Sequence, residues 1–408
     1  MSRYKTYPQY KDSGVEWLGE MPEHWEVKRI KFLFKIRKRI AGEEGYDVLS
    51  ITQKGIKVKD IESNEGQLSM DYSKYQFANI GDFAMNHMDL LTGYVDITKF
   101  NGVISPDYRV FTLEDKSSFS NFYLYIFQNG YKNKIFYKFG QGSSQLGRWR
   151  LPTDEFNDFV FPYPSLTEQQ QIANYIDNAT CKIDILIQKQ QNLIELLKEK
   201  RQAAVENIIM QDKIVSMRLG MVVDQIFRPV DRKMEEIYIA LGLYNRGRGL
   251  FHKEPKEGSE LGDSDFYWIQ NGDLILSGQF AWEGSVALAG KNENNCIVSH
   301  RYPVLRGKEN IINTEYLWAF LTTKIGDLIL NENSVGSAGR NRPLNINTLM
   351  KEKIPVPSLN EQLKISKIVQ VEKKIIDSVS KTIELLNERR IALISAVVSG
   401  KIDVREIA

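Results

Sequence analysis

The sequence predicts an α+β protein built as a tandem duplication, in which two mixed α/β domains are separated by two long helices that form an antiparallel coiled coil. Three observations support this fold class: a motif that occurs twice about 190 residues apart, apolar heptads after both copies, and strand-like segments before both copies. The predicted divisions are a first domain at 1–160, a central helix at 161–212, a second domain at 213–355 and a C-terminal helix at 356–408.

The duplication is recognised from the motif Pro-x-Pro-Ser-Leu-x-Glu-Gln, which begins at Pro162 and again at Pro355. Residues 194–201 then match residues 383–390, with the offset shortened by about four residues, roughly one helical turn. Weaker matches precede the motif in the same order: Gly81-Asp82 with Gly272-Asp273, Ser105 and Tyr108 with Ser299 and Tyr302, and Tyr123-Leu124 with Tyr316-Leu317. Similar caps and heptads would explain the helical part alone. They do not explain the ordered matches upstream, so the second half is predicted to be a diverged copy of the first.

Two long helices are predicted to begin inside the motif, because Ser165 with Glu168 and Ser358 with Glu361 both fit a capping box that follows a proline. Apolar residues then recur at steps of four and three, as in a coiled-coil seam. The predicted seam residues are Ile172, Ile176, Ala179, Ile183, Leu186, Leu193, Leu197 and Ala204, and then Ile365, Ile368, Ile375, Val379, Leu386, Leu393 and Val397. At 1.5 Å per residue, the first helix is a rod of roughly 65 Å, which suits a spacer.

Each half upstream of its helix is predicted to be a mixed α+β domain, with short strands broken by Gly, Asn and Asp turns. Strands are expected within 103–112 and 295–305, and a helix is expected at 121–128 and again at 314–321. The two domains should therefore share one fold with different surfaces.

Arginines in glycine-rich loops are the strongest candidates for contacts with DNA, because a guanidinium can bind a guanine edge bidentately or hold a phosphate. The candidates are Arg148, Arg150, Arg246, Arg248, Arg340 and Arg342. Gln145 and Asn341 are weaker candidates for adenine contacts, as are Gln141 and Asn245, since such residues in loops usually serve turns. The alternative for every one of these residues is a solvated loop.

A basic run at 28–39 contains Lys28, Arg29 and five further cations interleaved with apolar residues. This run would bind phosphates if it lay along a duplex. The favoured alternative is one solvated face of a helix whose apolar side packs inward, and the two interpretations are compatible.

Composition excludes several classes of protein. The 408 residues have a formal net charge of +2, which neither requires nor rules out nucleic acid. The chain has no run of about 18 apolar residues and no secretory signal, so we expect it in the cytoplasm. Cys181 and Cys296 form no disulfide or zinc pattern, and the four histidines have no metal-ligand spacing. Residues 284–291 resemble a phosphate-binding loop, but the glycine spacing is too long and Asn292 follows the lysine.

Two other functions remain open at this point. Asp107, Glu114 and Lys116 superficially match the carboxylates and lysine by which many nucleases hold Mg²⁺, although the second copy lacks these carboxylates. The long helices would also suit a coiled-coil adaptor, which would not recognise a DNA sequence. A metal-dependent cleavage assay and a DNA-binding assay distinguish these alternatives.

The repeated motif, the paired helices, the opening residues Trp17 to Val27 and the tail Ser399 to Asp403 resemble the specificity (S) subunits of Type I restriction-modification systems. The resemblance spans the whole chain. It implies that each domain is a target-recognition domain that reads one half of a bipartite, asymmetric DNA sequence.

The resemblance also implies that the helices with the seam residues fix the gap between the half-sites and dock two methyltransferase (M) subunits, through which restriction (R) subunits join. The chain would then have no catalytic site, and S-adenosylmethionine, ATP and Mg²⁺ would belong to the partner subunits. The loop arginines are proposed on chemical grounds, because the residues that determine specificity in this family vary with the target.

Overall fold

The computed structural model describes residues 4–61, 69, 71–144, 148–211, 214–336 and 342–406. The chain forms two compact units, each of which combines one domain with parts of both long helices. Unit 1 comprises Met1–Gln188 and Ile383–Ala408, and unit 2 comprises Lys189–Thr382. No helix in the described part of the chain is both long and apolar enough to cross a membrane.

The first domain contains short strands and two helices that precede the first long helix. Its strands are β1 (Tyr10–Asp12), β2 (Glu20–Pro22), β3 (Glu26–Arg29), β4 (Phe34–Arg37), β5 (Leu49–Thr52), β6 (Gly55–Val58), β7 (Gln76–Ala78), β8 (Phe83–Met85), β9 (Val95–Ile97), β10 (Gly102–Ile104), β11 (Arg109–Leu113), β12 (Gln141–Ser144), β13 (Arg148–Arg150) and β14 (Val160–Tyr163). Its helices are α1 (Ser120–Lys132) and α2 (Thr153–Asp158), and 3-10 turns occupy Ile30–Phe32 and Phe136–Phe139. The first long helix, α3, spans Leu166–Ile209.

The second domain repeats much of this order before the second long helix, α8 (Leu359–Val398). Its strands are β15 (Val215–Arg218), β16 (Val223–Gln225), β17 (Ile237–Tyr238), β18 (Leu241–Leu243), β19 (Leu250–His252), β20 (Lys256–Glu257), β21 (Phe266–Trp268), β22 (Leu274–Leu276), β23 (Val286–Leu288), β24 (Ile297–Ser299), β25 (Val304–Gly307) and β26 (Lys353–Val356). Its helices are α4 (Leu219–Val222), α5 (Thr314–Leu321), α6 (Lys324–Glu332) and α7 (Ile346–Leu349), with 3-10 turns at Gly258–Glu260, Ala281–Glu283 and Lys291–Glu293.

Sheet topology confirms the predicted duplication. The central antiparallel sheet has the order β4-β11-β8-β9 in the first domain and β16-β25-β22-β23 in the second. The flanking pairs also correspond, since β3–β14, β5–β6 and β7–β10 have counterparts in β15–β26, β18–β19 and β21–β24. The two domains are therefore one fold, present twice in the chain.

One of the two inner strands of each central sheet, β8 or β22, is buried on both faces. Successive strand residues point to opposite faces, so Phe83 of β8 joins the larger core of the first domain while Ala84 joins a smaller core on the other face. Leu274 and Ile275 of β22 divide between two cores in the same way. The all-apolar sequence of these strands follows from this double coverage.

The repeated motif is explained by its glutamine, which attaches each long helix to its own domain. Gln169 is fully buried; its Oε1 accepts the Phe119 N–H at 2.8 Å, and its Nε2 donates to the Pro164 carbonyl at 2.9 Å. Gln362 makes the corresponding bonds with the Asn313 N–H at 2.6 Å and the Pro357 carbonyl at 2.8 Å. A side chain that both donates and accepts is required here, because the buried backbone groups are of both kinds.

The long helices contact each other within both units, as the predicted antiparallel pairing requires. In unit 1, Ile172 near the start of α3 shares a buried core with Val397 near the end of α8. In unit 2, Val205 near the end of α3 shares a core with Ile365 and Val369 near the start of α8.

The predicted seam residues differ in burial along the helices. Ile172, Ile176, Ile183, Val379 and Leu393 are buried. In contrast, Leu186 and Leu193 are 46% and 38% exposed, whereas the next residues, Ile187 and Ile194, are half-buried, as are Leu197, Ile368, Ile375 and Leu386. Both registers are apolar at these positions, so the sequence pattern left the choice open.

The capping box is complete at the second helix only. At α8, Ser358 Oγ accepts the Glu361 N–H at 3.4 Å, and Glu361 Oε2 accepts the Ser358 N–H at 3.1 Å. At α3, Ser165 Oγ still accepts the Glu168 N–H at 3.3 Å. The buried Glu168 carboxylate, however, binds the side chains of Tyr7, His24 and Trp25. The prediction of two equal boxes is therefore wrong for α3.

The basic run at 28–39 does not form the predicted helix. It forms β3, the 3-10 turn Ile30–Phe32 and β4. Phe34 and Ile36 alternate with Lys35 and Arg37, a spacing of two that places the apolar pair toward the core and pairs β4 with β11. The dense basic residues obscured this period.

Candidate nucleic-acid interface

The two glycine-rich loops with predicted DNA contacts occupy the same place in the duplicated fold. In the first domain, β12 and β13 form a hairpin between α1 and β14. In the second, the chain between α5 and β26 forms an antiparallel bridge from Ser334 to Leu344. Equivalent backbone hydrogen bonds fix the point at which each loop joins its domain. The Leu151 N–H donates to the His87 carbonyl at 2.9 Å, and the Leu344 N–H donates to the Gly278 carbonyl at 2.8 Å.

Some of the predicted DNA-contact residues fall outside the part of the chain that the structure describes. Gln145, Arg340 and Asn341, together with the side chain of Arg148, lie outside the described residues. Arg150 is exposed at the end of β13, where a phosphate or a base edge has access to it.

The first hairpin is held by Trp149 in a way that requires glycine at position 140. Trp149 Nε1 donates to the Tyr137 carbonyl at 2.8 Å. A Cβ at Gly140 would lie 2.1 Å from the same nitrogen, which is far inside van der Waals contact. The glycine in this loop therefore serves close packing of the indole, and the packing fixes the strand that presents Arg150.

A buried arginine and a neutral histidine support the base of the same hairpin. Arg109 Nη2 donates to the Leu151 carbonyl at 3.1 Å, and the guanidinium lies 4.4 Å from the centroid of the Phe156 ring. Burial, reinforced by the charges of Arg109 and Arg150, lowers the pKa of His87 to about 4. His87 is therefore uncharged near neutral pH and adds no positive charge to this surface.

Arg342 is bound to its own domain. Its Nε donates to the Ser334 carbonyl at 3.1 Å and its Nη2 to Asn331 Oδ1 at 2.6 Å, while the guanidinium lies 5.1 Å from the centroid of the Trp282 ring. These contacts anchor the base of the second loop. The prediction that Arg342 also contacts DNA stays a prediction.

Arg246 and Arg248 lie on a loop between β18 and β19 whose backbone is fixed by hydrogen bonds. The Arg246 N–H donates to the Glu283 carbonyl and the Gly247 N–H to the Gly284 carbonyl, both at 2.7 Å. Arg246 and Gly247 have φ of 58° and 61°, and both arginines are exposed. Arg248 Nε donates to the Asn245 carbonyl at 3.0 Å. A rigid loop that presents two exposed guanidinium groups is well suited to an anionic ligand.

Lys28 and Arg29 on β3 contact neighbouring side chains. Lys28 Nζ lies 3.4 Å from the centroid of the Tyr163 ring, and Arg29 Nη1 lies 3.4 Å from Asp158 Oδ1. Both residues are at least partly exposed, and these exposed contacts are weak enough to exchange for a phosphate.

Residues 22–196 and 238–394 match the family model described as the Type I restriction modification DNA specificity domain. The chain belongs to the family of Type I restriction-modification specificity subunits. The two matches cover the two predicted halves, so the specificity domain is present twice, in agreement with the repeated sheet topology.

One solved structure supports the fold of this chain, and two more are similar over most of its length. A chain from a structural study of complex assembly and conformational transition of the type I R-M system is 12% identical with a TM-score of 0.58, and the match covers 93% of this chain and 98% of that chain. An S subunit of a Type I restriction-modification system from M. genitalium and the HsdS subunit from Thermoanaerobacter tengcongensis are each 14% identical with a TM-score of 0.42. Those matches cover 92% and 98% of this chain, and 96% and 100% of the other chains.

Glu114, one carboxylate of the nuclease alternative, has other contacts in the specificity subunit. Glu114 Oε1 accepts from Thr112 Oγ1 at 2.7 Å and lies 2.5 Å from Arg37 Nη2, and these bonds lower the pKa of Glu114. Among the described residues, no group of three or more His, Cys, Asp and Glu side chains is arranged to hold a metal ion. A structural role accounts for the position of Glu114.

Sequence reasoning missed the cations that the long helices contribute beside each domain. Arg390 of α8 lines a cleft in unit 1 together with Lys54 and Lys132. Lys198 of α3 lines a cleft in unit 2 together with Arg246 and Arg248. These residues come from distant segments, so no local motif could have joined them. The one available signal was the match of 194–201 with 383–390, which places Arg201 and Arg390 at equivalent positions.

Proposed function

We propose that the chain is the DNA sequence-specificity subunit of a Type I restriction-modification complex and that it binds a bipartite, asymmetric duplex target. Each domain reads one half-site, and the long helices fix the gap between the half-sites. The helices dock two methyltransferase subunits, through which restriction subunits join. The chain contributes no catalytic residue, and S-adenosylmethionine, ATP and Mg²⁺ are bound by the partner subunits.

The observation that carries this proposal is one scaffold present twice with different loops. Gln169 and Gln362 make matching bonds, and the central sheets have the same strand order. The surface loops differ, because the β5–β6 turn contains only Gln53 and Lys54 whereas residues 244–249 connect β18 and β19. Two DNA-binding domains that share one fold but carry different loops suit a target whose two half-sites differ in sequence.

Exposed leucines on the long helices support docking of partner helices. Leu193 and Leu196 lie three residues apart on one face of α3 and are 38% and 60% exposed, and Leu385 of α8 is 56% exposed. Apolar side chains that remain on the surface of a helix are typical of an interface with another helix.

Methylation mapping by long-read sequencing tests the proposal directly. Cells carrying this chain with the adjacent methyltransferase gene should show a methylated bipartite motif, and deletion of this chain alone should abolish it. A chimera in which another specificity domain replaces residues 1–160 should change one half of the motif and leave the other half intact. A methylome unchanged by the deletion contradicts the proposal.

A further inference from the structure

We propose that each unit contains a basic cleft that holds the phosphate backbone of bound duplex DNA. The cleft is bounded by a domain helix, by a long helix and by the turn of a hairpin, which is β5–β6 in unit 1 and β18–β19 in unit 2. The inference rests on the proposed DNA-binding function and extends it, because it assigns phosphate contacts to the long helices as well as to the domains.

The cleft in unit 1 has a volume of about 750 Å³. Its described lining includes four cations, Lys54, Lys99, Lys132 and Arg390, against the two carboxylates of Asp96 and Asp177. Both carboxylates already accept hydrogen bonds, Asp96 from the Ile56 N–H at 3.1 Å and Asp177 from the Tyr125 hydroxyl.

Like charges crowd together in this cleft. Burial and the charge of Arg390 lower the pKa of Lys132, so the ammonium lies within the field of the guanidinium. Among the described residues, Arg390 pairs at 3.1 Å with Asp184, which is half-exposed and lies outside the lining, so Lys54, Lys99 and Lys132 remain against the two carboxylates. Adjacent cations that exceed their carboxylates are favourable only when an anion is present.

The cleft in unit 2 has a volume of about 880 Å³. Its described lining contains Lys198, Arg201, Arg246, Arg248 and Lys324, against Glu283 and Asp327. Arg201 is neutralised by the buried Glu372 at 2.8 Å, which lies outside this lining. Lys198 is also paired outside the lining, with Glu195 at 3.0 Å, and the remaining Arg246, Arg248 and Lys324 still exceed the two carboxylates.

The floor of the unit 2 cleft is rigid. Gln202 Nε2 of α3 donates to the Thr322 carbonyl at 2.8 Å, which fixes the long helix against the end of α5. The backbone bonds of Arg246 and Gly247 fix the opposite wall. The cleft is therefore formed before a ligand binds.

The duplication supplies an internal comparison between the clefts. Arg201 and Arg390, one from each lining, are equivalent in the repeat. Most other cations differ in identity and in exact position, and yet both linings keep an excess of positive charge. Retention of charge without retention of residues indicates a ligand that is recognised by its charge.

A phosphate backbone fits these features better than base edges do. Lysines provide single mobile charges, whereas base reading needs fixed donor and acceptor pairs such as a bidentate arginine. Phosphate contacts set affinity and register and do not alter the sequence that is recognised. An acidic surface of a partner protein is the competing occupant, and the experiment below separates it from DNA.

The test compares full-length variants by fluorescence anisotropy with a random-sequence 30-bp duplex over a range of salt concentrations. The variants are K132Q/R390Q for unit 1 and K198Q/R248Q for unit 2. K189Q and K381Q, exposed lysines of the same helices outside both linings, serve as matched controls. Each lost phosphate contact should reduce the slope of log K against log salt by about 0.9 and weaken binding about fivefold at 0.15 M salt, or about thirtyfold for two contacts.

The controls should retain the wild-type slope. The single variant R390K, which keeps the positive charge at position 390, should retain it too. Melting temperatures establish that the variants are folded. Slopes equal to those of the controls overturn the inference, as does a variant that changes a base of the methylated motif. Loss of co-purifying methyltransferase subunits with an unchanged slope overturns it in favour of the protein partner. Because the duplex has random sequence, this result is independent of whether the wild-type chain directs a bipartite motif.

Discussion

Replacement of Gln362 by alanine should destabilise unit 2 strongly. The side chain is fully buried, and the substitution removes an acceptor for the Asn313 N–H at 2.6 Å and donors to the Pro357 and Ile311 carbonyls at 2.8 and 3.1 Å. A buried polar group that loses its partner costs about 1–3 kcal/mol, and a cavity adds to this cost. Since the groups relax together, we expect a loss of about 4 kcal/mol.

Differential scanning calorimetry of the full chain measures this loss. For a unit of roughly 200 residues, 4 kcal/mol corresponds to a decrease in Tm of about 10 °C. Gln169→Ala should do the same to unit 1, because its bonds match. The exposed neighbours Asn360 and Gln170 provide controls, whose alanine variants should stay within about 0.5 kcal/mol of wild type. A Gln362→Ala variant that loses less than 1 kcal/mol would refute the account of the repeated motif.

Three further predictions concern the spacer, the first hairpin and pH. Deletion of four residues from α3 between Leu186 and Leu197, together with four from the facing part of α8, shortens the helix pair by about 6 Å. The gap in the methylated motif should then shrink by about one or two base pairs while both half-sites are kept. An unchanged gap would contradict the spacer role. Gly140→Ala forces the indole of Trp149 from its bond to the Tyr137 carbonyl, so methylation of the motif in single-turnover assays should fall about tenfold or more. Gly262→Ala, whose new Cβ would meet no neighbour, should have little effect on methylation. The pKa of His87 is about 4 in the folded chain against an ordinary value of 6.5, so the unfolded chain binds the proton first and the free energy of unfolding should fall as the pH decreases from about 6.5 toward 4. His87→Asn should reduce this dependence of the unfolding free energy on pH, measured by urea titration. An unchanged dependence would contradict the lowered pKa of His87.

The large features of the fold were predictable because each has a local signature. The motif at Pro162 and Pro355 predicted the duplication, and apolar heptads predicted both long helices. The exposure of Leu186 was not predictable, because the neighbouring Ile187 is also apolar and burial depends on contacts with the other helix. Tertiary contacts determine which of two adjacent apolar residues is buried, and the spacing of apolar residues in the sequence does not reveal those contacts.

The candidate interface was predictable only in part. The loop at 244–249 was recognised from its arginines and glycines, and the structure shows why it is rigid. The anchoring role of Arg342 depends on Asn331 and Trp282, which are distant in sequence. The helix cations beside each domain were missed for the same reason, since a cleft is a property of the folded chain.

Glu168 and Glu361 show that a repeated residue need not keep its role. Glu361 caps its own helix, whereas Glu168 Oε1 accepts from the Tyr7 hydroxyl at 2.8 Å and from Trp25 Nε1 at 3.0 Å, and its Oε2 lies 2.9 Å from His24 Nε2. The partners of Glu168 all belong to the segment before β3. That segment packs on the first copy of the motif and also contacts the end of α8, where the Tyr10 hydroxyl donates to the Gly400 carbonyl at 3.2 Å.

The first unit therefore depends on both ends of the described chain, and the second unit is formed by a continuous middle segment. An exchange of domains at residue 160 that replaces the segment before β3 must bring matching partners for Glu168, or it leaves a buried carboxylate without donors. A chimera that keeps residues 4–25 of this chain and exchanges only the part that follows should fold better than one that exchanges the whole first domain. The difference in Tm between the two chimeras measures what the segment contributes, and equal values would show that the incoming domain supplies its own partners.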